Sequence, residues 1–103
     1  MDNGFVSVAN INEIESNKVY CFDVNGTAVV LCKVGDTFHA VQNQCTHANA
    51  TFDKGRLRAH KLLCPLHGAI FDVRDGSVLG QPAFQPLHTF QVKVVADQIK
   101  VKV

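Results

Sequence analysis

A chain of 103 residues, 47% hydrophobic and 18% charged, suits one domain, leaves no room for two ordinary ones, and is not a disordered polymer. Ten Lys+Arg against nine Asp+Glu give a formal net charge of +1, which offers no electrostatic footprint for DNA or RNA. The opening MDNGFVSVAN has neither a basic segment nor an apolar run, and no stretch approaches the ~18 apolar residues of a membrane helix. The expectation is a soluble, cytoplasmic protein with no nucleic-acid and no membrane partner. Four Cys in such a compartment argue against disulfides.

In chain order, NINEIE gives the single helical hint, with Asn10 and Glu13 at capping-box spacing. NKVYCFDVNGTAVVLCKV then holds two β-rich runs that meet at Asn25-Gly26, a strong hairpin signal. A two-residue loop there sets Val24 opposite Thr27, Cys21 opposite Val30 and Val19 opposite Cys32. Cys21 and Cys32 read as buried thiols acting as small hydrophobes. Gly35-Asp36 turns the chain into a third strand, TFHAVQNQ. AIFDVRDGSVLG predicts a hairpin at Asp75-Gly76. HTFQVKVVADQIKVKV alternates cleanly around a turn at Ala96-Asp97, with Phe90, Val92, Val94, Ile99, Val101 and Val103 on the apolar side. Strands this numerous, parted by Gly and Asp turns, predict an all-β antiparallel sandwich or small barrel. There is no repeat, linker or low-complexity segment.

Residues 45–61, 64–69 and 80–86 read as irregular loops carried on that sheet, where function concentrates. The first two carry Cys45 and His47, one residue apart, and Cys64 and His67, two apart, with sixteen residues between the pairs. Thiolate and imidazole together suit zinc or an iron–sulfur centre. A structural zinc finger brings two Cys on one knuckle and two His on another, whereas here each loop supplies one of each. Alternate residues of an extended segment point opposite ways, so C-x-H suits two adjacent metals better than one ion. A catalytic Cys–His dyad does not explain a duplicate set.

CTH followed by CPLHG resembles the Rieske [2Fe–2S] signature, in which two His replace two Cys on one iron. CPLHGAIFDVRDGSVLGQPA and the flanking KGRL extend the likeness to small Rieske ferredoxins over essentially the whole chain. The resemblance implies one [2Fe–2S] cluster per chain, with Cys45 and Cys64 on one iron and His47 and His67 on the other. It also implies that Gly68 allows close backbone approach, that Pro65 stiffens the second loop, and that Pro82 caps the cluster. It further implies one Rieske domain over residues 1–103, with a cluster-binding subdomain of about 43–81 inserted in a basal antiparallel β-domain.

Two ferric ions, two sulfides and two thiolates sum to a neutral centre, whereas four thiolates would leave it at −2. Reduction is easier from the neutral state, hence about −150 to +300 mV for Rieske centres against about −400 mV for plant-type ferredoxins. High-potential members of the family carry an extra Cys in each loop, and a Ser and a Tyr that donate to sulfur. This chain has Ala50 or its neighbours and Leu66 at the first places, and Ala69 and Phe71 at the second, so the low end of the window is expected.

No substrate constellation and no GxGxxG accompanies the centre, so the chain reads as an electron-transfer component and not an enzyme. By resemblance it passes electrons from a flavoprotein ferredoxin reductase to the terminal oxygenase of an aromatic-ring-hydroxylating dioxygenase system. The alternative is the small Rieske-like subunit of an assimilatory nitrite reductase; a zinc-bound interaction module ranks below both. The expected docking tip is formed by loops 45–50, 64–69 and 80–84, with Leu66, Pro82 and Phe84 as apolar contacts. Nothing demands more than a monomer. Lys54, Arg56, Arg58, His60 and Lys61 form the one local basic excess, a solvated loop with the capacity to steer an acidic protein. His39, His60 and His88 read as structural or surface residues, and Asp53, Asp72 and Asp75 as turn residues.

Overall fold

The computed structural model describes residues 4–46, 50–66, 68–80 and 85–103. Ten strands run through them: β1 (Phe5–Asn10), β2 (Tyr20–Val24), β3 (Thr27–Val34), β4 (Thr37–Gln42), β5 (Arg56–Arg58), β6 (Lys61–Leu63), β7 (Ile70–Asp72), β8 (Val78–Gly80), β9 (Thr89–Val95) and β10 (Gln98–Lys102). The one helical element among the described residues is a 3-10 turn, Ile11–Glu13, closed by the expected capping box. Asn10 accepts from the Asn12 amide at 2.9 Å, and the Asn10 amide donates to Glu13 at 2.8 Å. None of these helical residues approaches a length that crosses a membrane.

The strands form two antiparallel sheets, one ordered β1-β10-β9-β4-β3-β2 and the other β5-β6-β7-β8. Edge strands β1 and β2 of the larger sheet come back into contact, which nearly closes it into a barrel. The fold is therefore all-β, a small barrel-like base with a second sheet threaded between β4 and β9.

Strand β3 explains how the sheets join. Its run Val29-Val30-Leu31-Cys32 is wholly buried, which requires that both faces be covered. Val29 and Leu31 pack inside the barrel with Val24, Ala40, Ile99 and Val101. Val30 and Cys32 point the other way, into a second core with Val41, Phe52, Leu57, Leu62 and Phe71. Phe52 and Phe71 meet edge to face there at 5.9 Å, the favoured geometry for ring quadrupoles.

The Asn25-Gly26 hairpin has the expected register, with Val24 opposite Thr27 and Cys21 opposite Val30. Cys32 is buried, and burial pushes its thiol up to about 12. Cys21 differs from expectation: it is exposed on edge strand β2, where its thiol hydrogen-bonds Asp53. The C-terminal hairpin also turns at Ala96-Asp97, but its apolar stripe is incompletely covered, with Val94 and Val103 exposed. Strand β1 escapes a period-2 reading because a bulge between Ser7 and Ala9 shifts its register against β10. Residues 56–61, expected as part of an irregular loop, instead belong to the β5–β6 hairpin, in which Leu57 and Leu62 are paired and buried. Three-residue strands flanked by Arg and Lys give too little alternation to be seen.

Asp75-Gly76 lies in the link between β7 and β8, as expected. Gly76 has φ +80° and accepts from the Leu87 amide at 2.8 Å, tying that link to the chain entering β9. A Cβ at Gly76 would overlap the Leu87 carbonyl, whereas one at Gly26, with φ +86°, would meet nothing. Both substitutions carry the left-handed strain of about 1–2 kcal/mol, and only the first adds a backbone clash. Gly76→Ala is therefore expected to cost about 3 kcal/mol or more, with a Tm drop above ~12 °C. Gly26→Ala should lose roughly half as much or less. Thermal melts followed by circular dichroism compare them, and equal losses would contradict the contact at Leu87.

Candidate metal centre

Cys45 follows β4 and Cys64 follows β6, so each thiol leaves the end of a strand that contributes to the second core. Both are buried, at 2% and 3% exposure. The two loops close in the same way. The Cys45 amide donates to the Ala50 carbonyl, and the Cys64 amide to the Ala69 carbonyl, each at 2.8 Å and five residues on. These matched closures place the two side chains in one buried cluster, near enough for Cys45 to influence Cys64.

The electrostatics of Cys64 fit a buried thiol that keeps its proton until a metal arrives. Burial pushes the Cys64 thiol up to about 11, and the neighbouring Cys45 adds to the rise. The Leu66 amide donates to the Cys64 sulfur and pulls the other way. A thiophilic cation that displaces the Cys64 proton would meet a soft anionic sulfur in a buried setting, with a second sulfur beside it. The donor set therefore fits a thiophilic metal centre. Backbone amides on the ligand sulfur are the groups that tune such centres.

Two further devices hold the first loop. Asn43 is buried, and its carbonyl oxygen accepts from the Phe52 amide at 2.7 Å while its amide donates to Asp53 at 3.0 Å. Asp53 is held below the usual carboxylate range chiefly by that Asn43 amide, then by Thr51. Thr46 donates through its hydroxyl to the Gln85 carbonyl at 2.6 Å, linking the first loop to the segment before β9. Neither role is visible in the sequence, where Asn43 is one polar residue at the end of a strand. Asp72 is likewise more than a turn residue. It is buried, takes both Nε and Nη2 of Arg74, and is held below the usual range by that guanidinium.

The structure thus brings Cys45 and Cys64 together. His47 and His67 lie outside the described residues, as do Pro82 and Phe84. Leu66 and Pro65 are exposed beside Cys64, and Gly68 turns the same loop with φ +73°. Gly68 has no described atom close to where a Cβ would stand.

Asn43→Ala leaves the buried Phe52 amide without its acceptor, a loss of about 1–3 kcal/mol. Hydrogen exchange at the Phe52 amide should accelerate in that variant, while Thr46→Ala, which removes an exposed contact, should leave it unchanged. Equal protection in the two variants would show that Asn43 does not hold the loop.

A model of the Rieske [2Fe-2S] domain matches residues 4–91. The ferredoxin component of biphenyl 2,3-dioxygenase from Rhodococcus jostii (strain RHA1) is 32% identical over 94 residues, which span 91% of this chain and 88% of that protein. Apoptosis-inducing factor 3 of Homo sapiens is 30% identical over 96 residues; these cover 93% of this chain but only 16% of the length of that relative. Among solved structures, the ferredoxin of carbazole 1,9a-dioxygenase from Nocardioides aromaticivorans IC177 superposes with a TM-score of 0.91 at 34% identity. The match spans 95% of this chain and 96% of that one. A complex of reduced oxygenase and oxidized ferredoxin in carbazole 1,9a-dioxygenase contains a chain with TM-score 0.90 and 27% identity, over 96% and 93%. A buried thiol pair on matched loops, on an all-β scaffold shared with these proteins, agrees with the domain match: the chain belongs to the Rieske [2Fe–2S] family.

Proposed function

We propose that the chain is a one-electron carrier that takes electrons from a flavoprotein ferredoxin reductase and delivers them to the terminal oxygenase of a ring-hydroxylating dioxygenase system. The observation that carries this reading is the buried Cys45–Cys64 pair, set by matched loops at one end of a rigid sheet. Relatives named as ferredoxin components of dioxygenase systems support it, and so does the similar chain found in a complex with an oxygenase. Cys45 and Cys64 would hold one iron of the Rieske-type cluster, and His47 and His67 the other. When bound, the cluster supplies a one-electron couple. No disulfide joins any two of the four cysteines, which suits a reducing compartment such as the cytoplasm.

The chain's own residues do three things. The second core keeps water from the thiolates, with Phe52 and Phe71 fully buried beside them. The Leu66 amide donates to the Cys64 sulfur. Ala69 and Phe71, both fully buried, bring no side-chain donor to the sulfurs. Without side-chain donors at these two places the reduced state gains less stabilisation, and the midpoint belongs at the low end of the Rieske window.

The purified protein is expected to be red-brown, with two irons and two sulfides per chain and a midpoint below zero. A colourless protein, or one holding a single zinc, would remove the reading. Leu66, 47% exposed next to Cys64, offers an apolar contact for the oxygenase. Leu66→Glu should slow electron delivery to the oxygenase about tenfold or more, since a charge inside an apolar contact is costly. The visible spectrum should not change. An unaltered rate would take Leu66 out of the contact.

A further inference from the structure

Charge is unevenly placed along this chain. Four of the ten Lys+Arg and one of the nine Asp+Glu fall within residues 50–70, so that segment carries +3 and the remainder −2. Lys54, Arg56, Arg58 and Lys61 are all exposed. Arg56 and Arg58 stand on the outer face of β5, because Leu57 between them is buried. Arg58 lies directly opposite Lys61 on β6, a like-charge pairing that a sheet disfavours. Nearby acids do not relieve it. Asp53 is turned to Asn43, Glu15 to Lys18, and Asp72 to Arg74. Lys54, Arg56 and Arg58 have no ion pair or side-chain hydrogen bond among the described residues.

This flank runs into the metal centre. A groove of about 360 Å³ is shared by Lys54 and Arg56 with Cys64, Pro65 and Gly68. A second, of about 740 Å³, continues along the free edge of β5 between Arg56, Arg58 and the Asn17–Val19 segment, where Lys18 adds to the rim. Lys54, Arg56 and Arg58 therefore form a run of cations that begins beside one thiol-bearing loop and extends away from it, while Lys18 on the far rim is paired with Glu15.

We infer that this basic flank is the electrostatic half of the docking surface, and that it receives a protein partner presenting carboxylates around its own redox centre. The inference rests on the electron-carrier reading and specifies the chemistry of the partner. Nucleic acid is a poorer fit. The rest of the chain is net negative, and the aromatic rings of this region, Phe52 and Phe71, are buried and offer no stacking platform. Rim charges of this kind act on encounter rates and their salt dependence.

Two probes test it without the partner. In the first, reduced protein is mixed with hexacyanoferrate(III) or hexaammineruthenium(III). Each accepts one electron, giving hexacyanoferrate(II) or hexaammineruthenium(II). The rate with the anion should fall about threefold or more between ~20 and ~300 mM salt, while that with the cation stays level or rises. Lys54→Glu with Arg56→Glu should reverse both trends. Lys33→Glu with Lys100→Glu makes the same change in net charge on the barrel strands β3 and β10, and should keep the original trends. In the second, a fluorescent octaglutamate peptide is titrated at low salt and its anisotropy read. The Lys54/Arg56 variant should bind at least about tenfold more weakly than the Lys33/Lys100 variant. An oligothymidylate of equal charge that binds as well as the peptide would overturn the assignment to a protein. A coloured protein whose two variants behave alike overturns the docking inference alone. A colourless protein overturns the carrier reading and the docking role with it.

Discussion

Cys45 and Cys64 are core residues, and the rest of the structure depends on that. They sit in the apolar layer between the outer face of β3 and β4 and the four-stranded sheet, so the layer that holds the two sheets together also holds the thiols. A small domain has little apolar surface to spare, and here the same contacts position the scaffold and the ligands. The thiol pair is set by packing and by two backbone closures within the chain itself. This is the preorganisation that an electron carrier needs, because little has to move when charge arrives.

The matched closures also explain how two loops of different sequence act as a pair. Each spans five residues from a cysteine amide to an alanine carbonyl. Ala69 is fully buried, so a larger side chain there would displace the loop whose carbonyl it supplies. The Asn43 clasp serves the first loop only. The second is instead flanked by the paired strands β6 and β7. One loop is held by a side chain and the other by a sheet, to the same end.

Much of the architecture was legible in the sequence for physical reasons. Asn25-Gly26 announces its hairpin because few residues accept positive φ, and both lie there. The turn at Ala96-Asp97 was readable only from the alternation on either side, since Ala96, at φ 54°, is not a residue that favours that region. The doubly buried run in β3 was visible as apolar sequence, but not as the seam between two cores. Strand β1 was hidden by its bulge, and the β5–β6 hairpin by its brevity and charge. Cys21 was misplaced because edge strands leave side chains open that a central strand would cover. At the metal centre, the spacing of cysteines identified the thiols that meet. Asn43 and the two alanine carbonyls had no signal, since their roles are long-range hydrogen bonds and leave no local pattern.

In the proposed centre Cys45 and Cys64 would hold one iron, leaving His47 and His67 to its neighbour. Mössbauer spectroscopy of the protein reconstituted with ⁵⁷Fe tests this most directly. Two unequal iron sites in equal amount are expected, with the added electron confined to the imidazole-bound iron on reduction. Two equivalent irons, or a single site of any kind, would contradict it.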